Sequence, residues 1–361
     1  MAQKEAKPLK KRKITRRAGK ICLAVLVILL CAAAIRYIWW NEQRKQRMKN
    51  DRSAQIVLTD TQWEKMMAGG DPEVVEAADR TQTDRVFQYR DDLINILVMG
   101  IDKETKMWER DPGNNSIGQA DTVLLASLDL KAGTLRLIAI PRDTMVSLEM
   151  YNDKGEYVAR ELGQLTLQYA YADGQKRSCE LMRDRVSEVL CGIPIYGYVA
   201  LNLNMIPAIN DAIGGVEVTM TEDYTKLDRA FRKGETVRLK GSQALRFIQM
   251  RDTSQAGSAY ERLMRQKTYL RAFASQAKAV LKDDISIVLE LLSESEGNFE
   301  TDLTEEDIAY LALQALSCRF SEEDIWVLPG EIQRGETYEE YHLDEMAVQA
   351  GVIRMFYDES T

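Results

Sequence analysis

Three segments of this chain set charged side chains at the ends of apolar runs. Leu93-Ile94-Asn95-Ile96-Leu97-Val98-Met99 runs into Gly100-Ile101-Asp102, Asp121 precedes an apolar run over 122–128, and a third run over 134–140 leads into Pro141-Arg142-Asp143. Short apolar runs bounded by Gly, Pro and Asp read as buried strands. If the three strands run up, down and up, Asp102, Asp121 and Arg142 meet at one end of a sheet. Two carboxylates with open positions suit Mg2+ held jointly with phosphate oxygens. The planar fork of an arginine suits phosphate recognition. The same residues also read as turn caps, with Arg142 paired to Asp143.

A second cluster lies downstream. Gly241-Ser242-Gln243-Ala244-Leu245 leads through Phe247 and Ile248 to Arg251, and Glu261-Arg262-Leu263-Met264-Arg265-Gln266 opens a helical pattern. Arg262, Arg265 and Gln266 stand at i, i+3 and i+4 and can share one face near the helix start. A helix N-terminus flanked by guanidinium groups is a natural phosphate site. The other reading is a solvated helix face with Glu261 and Arg265 paired.

Positioning these groups requires a sheet with helices around it. The patterning predicts strands over 93–99, 122–128, 134–140, 197–202 and 216–220, with one more near 325–328. Helices are predicted over 175–190, 204–213, 259–282, 284–294, 304–316 and 343–357. Strands alternating with helices imply an α/β fold, an α-β-α sandwich about a central mixed sheet. Residues 41–92 are polar, punctuated by Gly69-Gly70-Asp71-Pro72, and read as a stalk. The folded domain is then expected over 93–361, with a helical C-terminal part over 284–361.

Charge and hydropathy divide the chain. Residues 1–20 hold nine Lys or Arg against Glu5, and an unbroken apolar run over 21–35 follows. Arg36 interrupts the run and Tyr37-Ile38-Trp39-Trp40 closes it. The stretch over 21–40 matches the ~20 residues that cross a bilayer core of ~30 Å, with Arg36 snorkelling and the aromatic residues at the interface. A cleaved signal peptide, cut near Ala32-Ala33-Ala34, is the rival reading; the Trp-rich flank favours an anchor. The basic excess puts residues 1–20 in the cytoplasm and the rest of the chain, past the span, outside the cell membrane. Net charge is −8 overall. Residues 1–52 carry +12, which leaves −20 on the remainder. So acidic a domain is not a nucleic-acid binder by bulk charge. His342 is the only histidine and the five cysteines include two in the apolar run, so histidine triads, zinc sites and a disulfide framework are poorly supported. No Gly-rich phosphate loop or dinucleotide fingerprint is present.

The two clusters, in this order behind one apolar segment, resemble the LytR-CpsA-Psr family. The matching stretches are Asn95 to Asp102, Asp121-Thr122-Val123-Leu124, Ile140-Pro141-Arg142-Asp143-Thr144, Ile213-Gly214-Gly215-Val216-Glu217-Val218, Leu239 to Leu245 and Arg262-Leu263-Met264-Arg265-Gln266. They fall within 93–275. The resemblance implies transfer of an anionic glycopolymer, such as teichoic acid or capsule, from a polyprenyl-pyrophosphate-linked donor to peptidoglycan. A muramic-acid hydroxyl would attack the sugar phosphate and polyprenyl phosphate would leave. It further implies Mg2+ held by Asp102 and Asp121, a head group held by Arg142, Arg251, Arg262, Arg265 and Gln266, and an apolar tunnel for the polyprenyl chain. Asp102, Asp121, Arg142 and Arg251 are the expected catalytic set.

The chain departs from the family pattern at three positions. Gln119 stands where an arginine is usual, Gln249 replaces the first arginine of an Arg-x-Arg pair that here retains only Arg251, and Ala259 replaces an acid. Glutamines at 119 and 249 can still donate to phosphate, without charge. These departures motivate an alternative expectation, a non-catalytic polyprenyl-phosphate-binding or regulatory envelope protein. A scaffolding role for 284–361 is a third.

Overall fold

The structure is a computed structural model that describes residues 36, 39–43, 55–67, 84–113, 115–152, 154–250, 258–335 and 338–360. The chain divides into two compact units, Met1–Met48 and Lys49–Thr361. In the first, positions 36 and 39–43 are helical. Among the described residues no helix is long and apolar enough to cross a membrane. The expected tail over 1–20 and most of the expected span lie outside them.

The second unit is built on a six-stranded sheet. Its strands β1 to β15 are Gln55–Thr59, Asp84–Tyr89, Leu93–Ile101, Ala120–Asp129, Thr134–Ile140, Met145–Tyr151, Tyr157–Gln164, Gly197–Asn202, Val216–Thr219, Thr236–Leu239, Phe299–Thr301, Ile325–Val327, Gly330–Arg334, Glu339–Leu343 and Tyr357–Ser360. Its helices α1 to α9 are Asp60–Met67, Thr166–Ala170, Lys176–Val189, Met205–Ala212, Ser242–Gln249, Ser258–Asp283, Ser286–Glu294, Glu305–Ser317 and Glu345–Phe356. The central order is β11-β8-β3-β4-β5-β12. β3 pairs antiparallel with β4 and parallel with β8, β4 pairs antiparallel with β5, and β5 parallel with β12. The sheet is therefore mixed, as expected. The β4–β5 turn is short because Gly133 takes a positive φ of 62° and Asp129 Oδ1 accepts the Ala132 N–H at 2.7 Å, a local side-chain cap that closes the reversal.

The two faces of the sheet differ. Leu97, Met99, Leu125 and Ile138 are 0% exposed and pack with Tyr169 of α2, Met182 and Val186 of α3, and Val352 and Phe356 of α9. Their registered neighbours on the other face, Val98, Leu124 and Ala139, are only half-buried, as are Val199 and Val327 in the same row. A second core gathers β9, β10, α5 and α6 around Phe231, Leu239 and Phe247.

Two expectations change here. The stalk over 41–92 contains folded structure: β1 pairs with β2, and β2 with β15 at the far end of the chain. Trp63 packs against Phe87 in a tilted pair with ring centroids 4.8 Å apart, and Arg85 lies over Trp63 and bonds Asp60 at 2.8 Å. The domain thus includes residues before Leu93. The C-terminal part is not simply helical. It supplies β11 and β12 to the central sheet, and its helix α9 buries Val348, Ala350, Val352, Ile353 and Phe356. The described residues of 284–361 are an integral part of the core, which removes the basis for a separate scaffold role.

Candidate active site

The up-down-up order of β3, β4 and β5 brings Asp102, Asp121 and Arg142 to one end of the sheet. Arg142 Nη1 donates to Asp121 Oδ1 at 2.5 Å, and its Nε stands 3.5 Å from Asp143 Oδ1. Arg142 is thus paired with Asp143, as one reading expected, and also with Asp121. The Arg142 Nε is buried without a hydrogen-bond partner among the described residues. Burial works against the charge of Arg142, but Asp121 and Asp143 outweigh it and raise its pKa.

Asp121 owes its position to a β-bulge. Gly100 pairs with Thr122 while Ile101 pairs with Ala120, so Asp121 is an extra residue in β4. A bulge of this kind turns a side chain away from the alternation of its strand. Regular alternation would carry position 121 onto the dry face shared by Val123 and Leu125. Beside the bulge, the backbone of Gln119 ties both acids together. Its N–H donates to Asp102 Oδ1 at 2.7 Å, and its carbonyl accepts from the N–H of Asp102 at 3.0 Å and of Asp121 at 3.1 Å. The expectation gave Gln119 a side-chain role; its backbone is the part the structure shows at work.

Asp102 keeps an exposed edge, yet the protein crowded around its carboxyl pushes its pKa up. The Gln119 N–H opposes that, Asp121 adds to it and Arg142 opposes it. Burial also raises Asp143, which Arg142 pulls down, Asp121 and Glu339 push up, and Arg262 pulls down. Gln164 Nε2 holds Asp143 Oδ1 at 2.9 Å and the Glu339 carbonyl at 2.8 Å. Neither Gln164 nor Glu339 stands out in the sequence, because the hairpins that carry them, β6–β7 and β13–β14, lack a clear apolar alternation. Arg262, on α6, acts on Asp143, so the second sequence cluster does approach the first.

Arg265 is placed differently from the expectation. It is 2% exposed. Its Nε donates to the Phe247 carbonyl at 2.8 Å, a terminal nitrogen donates to the Met250 carbonyl, and its guanidinium lies 5.1 Å from the Tyr224 ring centroid. It braces the C-terminal end of α5 inside the second core and is not a phosphate contact there. Gln266 donates to the Ile248 carbonyl at 3.0 Å, bracing the same end. Gln249 is exposed at that end. Arg251 lies outside the described residues. A cleft of about 480 Å3 opens elsewhere, between β9–β10 and α6. Its Glu217–Arg238 and Thr219–Thr236 pairs bond one another, and Gln276 bonds the Glu217 backbone, so its polar groups are already satisfied.

A family model, the LytR_cpsA_psr family, matches residues 64–351. The chain belongs to this family. The matched region starts before Leu93 and runs into α9, in agreement with the enlarged domain described above. Relatives include polyisoprenyl-teichoic acid–peptidoglycan teichoic acid transferases TagU. That of Bacillus cereus is 26% identical over 255 residues, 70% of this chain and 74% of the relative. That of Enterococcus faecalis is 26% identical over 238 residues, 66% and 71% of the two chains. Among solved structures, protein gbs0355 of Streptococcus agalactiae superposes with a TM-score of 0.56 at 21% identity, over 73% of this chain and 86% of that one. TagT bound to LIIa-WTA superposes at 0.54 and 21%, over 73% and 89%. These likenesses show the mixed α/β fold of the LytR_cpsA_psr family.

Proposed function

We propose that this chain transfers a glycopolymer from a polyprenyl-pyrophosphate-linked donor to peptidoglycan, as a phosphotransferase of the cell envelope. The observation that carries the reading is the cluster of Asp102, Asp121 and Arg142 at one sheet end, joined through the Gln119 backbone, in a family whose named relatives are teichoic acid transferases. The acceptor hydroxyl attacks the phosphorus that carries the polymer. The bond to the bridging pyrophosphate oxygen breaks, polyprenyl phosphate departs, and the hydroxyl proton passes to solvent water. Arg142 and Arg262 stabilise charge on the phosphoryl oxygens, which is most of what such a reaction requires.

The donor set suits Mg2+: the Asp102 and Asp121 carboxylates leave room for phosphate and water oxygens. Among the described residues no cluster of three or more metal-binding side chains exists. Asp102 and Asp121 would hold the ion, whose charge would neutralise the pyrophosphate. The half-buried row from Val199 through Val98, Leu124 and Ala139 to Val327 supports an apolar channel for the polyprenyl chain. The segment over 21–40 would anchor the chain in the cell membrane, with residues 1–20 cytoplasmic and the domain outside, beside its lipid donor.

The test uses the full chain in lipid nanodiscs with a polyprenyl-pyrophosphate-linked glycopolymer, Mg2+ and peptidoglycan fragments. Release of polyprenyl phosphate, lost in Asp121→Ala, supports the reading. Tight lipid binding without release would favour the non-catalytic alternative, and full activity of Asp121→Ala would overturn the proposal.

A further inference from the structure

The loop from Asp102 to Gln119 contains a cation that the proposed chemistry does not use. Lys103 is 2% exposed. Its Nζ donates to the Glu109 carbonyl at 2.6 Å and to the Met107 carbonyl at 3.3 Å. Burying an ammonium is costly unless its protons are matched by acceptors. Here the acceptors are loop carbonyls, and the loop must fold around the amine to supply them.

The rest of the loop is fastened from its outer side. Asn202 Nδ2 donates to the Thr105 carbonyl at 2.9 Å, Asn204 Nδ2 to the Glu104 carbonyl at 2.6 Å, and the Met107 N–H to the Gly297 carbonyl at 2.7 Å. The loop then returns through Asp111 and Ser116 to Gly118, whose positive φ of 87° and tight surroundings turn the chain into Gln119. A Cβ at Gly118 would stand 2.7 Å from Ile101 Cγ2 and 3.4 Å from Lys103 Cδ. The Lys103 stem thus lies against the returning strand while its amine reaches the far turn.

We infer that Lys103 is a positioning residue for the acidic pair. Its ammonium draws the carbonyls of Met107 and Glu109 inward and closes the loop from within. Closure brings Gln119 back with its N–H on Asp102 and its carbonyl on the N–H groups of Asp102 and Asp121. An aliphatic side chain would fill the same space but withdraw the donor from both carbonyls. That Asp102 and Asp121 are the reacting site rests on the proposed function; the link from Lys103 to Gln119 does not.

The experiment is residue-resolved hydrogen exchange on the full chain in detergent micelles, comparing wild type, Lys103→Met and Lys103→Arg. The expected result is exchange faster by about tenfold or more at the Gln119 and Asp121 amides in Lys103→Met. Core amides of Leu97 and Leu125 should be unchanged, and Lys103→Arg should restore protection at least in part. Unchanged exchange at Gln119 in Lys103→Met, or an equal loss in Lys103→Arg, overturns the inference. If the Met variant does not fold, Lys103→Leu, which also lacks a donor, provides the same comparison. A wild-type chain that releases no polyprenyl phosphate would refute the transfer reading while leaving this exchange pattern intact.

Discussion

The Gln119 N–H meets the Asp102 carboxylate at 2.7 Å. Because the Gln119 carbonyl also accepts from both acidic residues' N–H groups, the backbone of one residue sets the separation of the two acids. Substituting the Gln119 side chain therefore leaves that linkage in place. Gln119→Ala should retain a folded site and lose at most one neutral phosphate contact, about 0.5–1.5 kcal/mol. Gln119→Arg, which adds a guanidinium, should raise turnover. Steady-state release of polyprenyl phosphate by the two variants checks this.

Arg142 bonds Asp121 and adjoins Asp143, and its planar geometry matters as much as its charge. Arg142→Lys keeps the charge but not the fork. Turnover should fall about 10²–10³-fold, in the range found when one transition-state donor is removed, with an unchanged unfolding midpoint.

Arg262 and Arg265 should separate cleanly. Arg265→Met withdraws two donors from the Phe247 and Met250 carbonyls inside the second core. Its expected cost is about 2–4 kcal/mol of stability, read as a lower midpoint in denaturant. Arg262→Ala should lower turnover and leave that midpoint nearly unchanged. A stability loss in Arg262→Ala as large as in Arg265→Met would contradict the assignment.

The acidic site should also carry a pH signature. Burial raises the carboxyl pKa of Asp102 and of Asp143 above the ordinary value. In the window between the ordinary and raised values the folded chain holds protons that the unfolded chain has released. Stability contributed by these groups therefore falls as pH rises through that window. Asp102→Asn should flatten the slope of midpoint against pH just above about 4, and a divalent cation bound to the ionised pair should release protons, measurable by calorimetry in two buffers.

Deletion tests the extent of the domain. A chain starting at Leu93 loses β1, α1 and β2, with the buried Leu58, Met66, Phe87 and Tyr89. Each large buried side chain contributes about 1.5–3 kcal/mol, so this truncation should fail to give a cooperative transition. A chain starting at Lys49 should unfold cooperatively.

The sequence made the central strands legible because their apolar runs end abruptly at Gly, Pro or Asp. The β5 span Thr134–Ile140 and the β8 span Gly197–Asn202 coincide with the expectation. β1 and β2 were not legible, because their partner β15 lies near the other end of the chain and their short runs carry no local signature. The β6–β7 hairpin hid for a different reason: Tyr157, Val158 and Leu162 are 58%, 59% and 70% exposed, so no alternation marks its faces. At the site, residue type pointed correctly to Asp102, Asp121 and Arg142 as neighbours. It misplaced Arg265, since spacing along α6 does not reveal which arc of the helix the second core buries. The role of Gln119 belongs to its backbone, which no side-chain pattern discloses.

The bulge at Asp121 makes the site depend on residue count. Removing one residue between Gln119 and Thr122 would restore regular pairing of β3 with β4 and shift the returning loop by one position. The chain would keep nearly all its residue types while Asp102 lost its amide partner. Single-residue insertions and deletions here should therefore be far less tolerated than substitutions, whereas the exposed β6–β7 turn should accept them freely. A deep library of length variants would map that contrast along the chain.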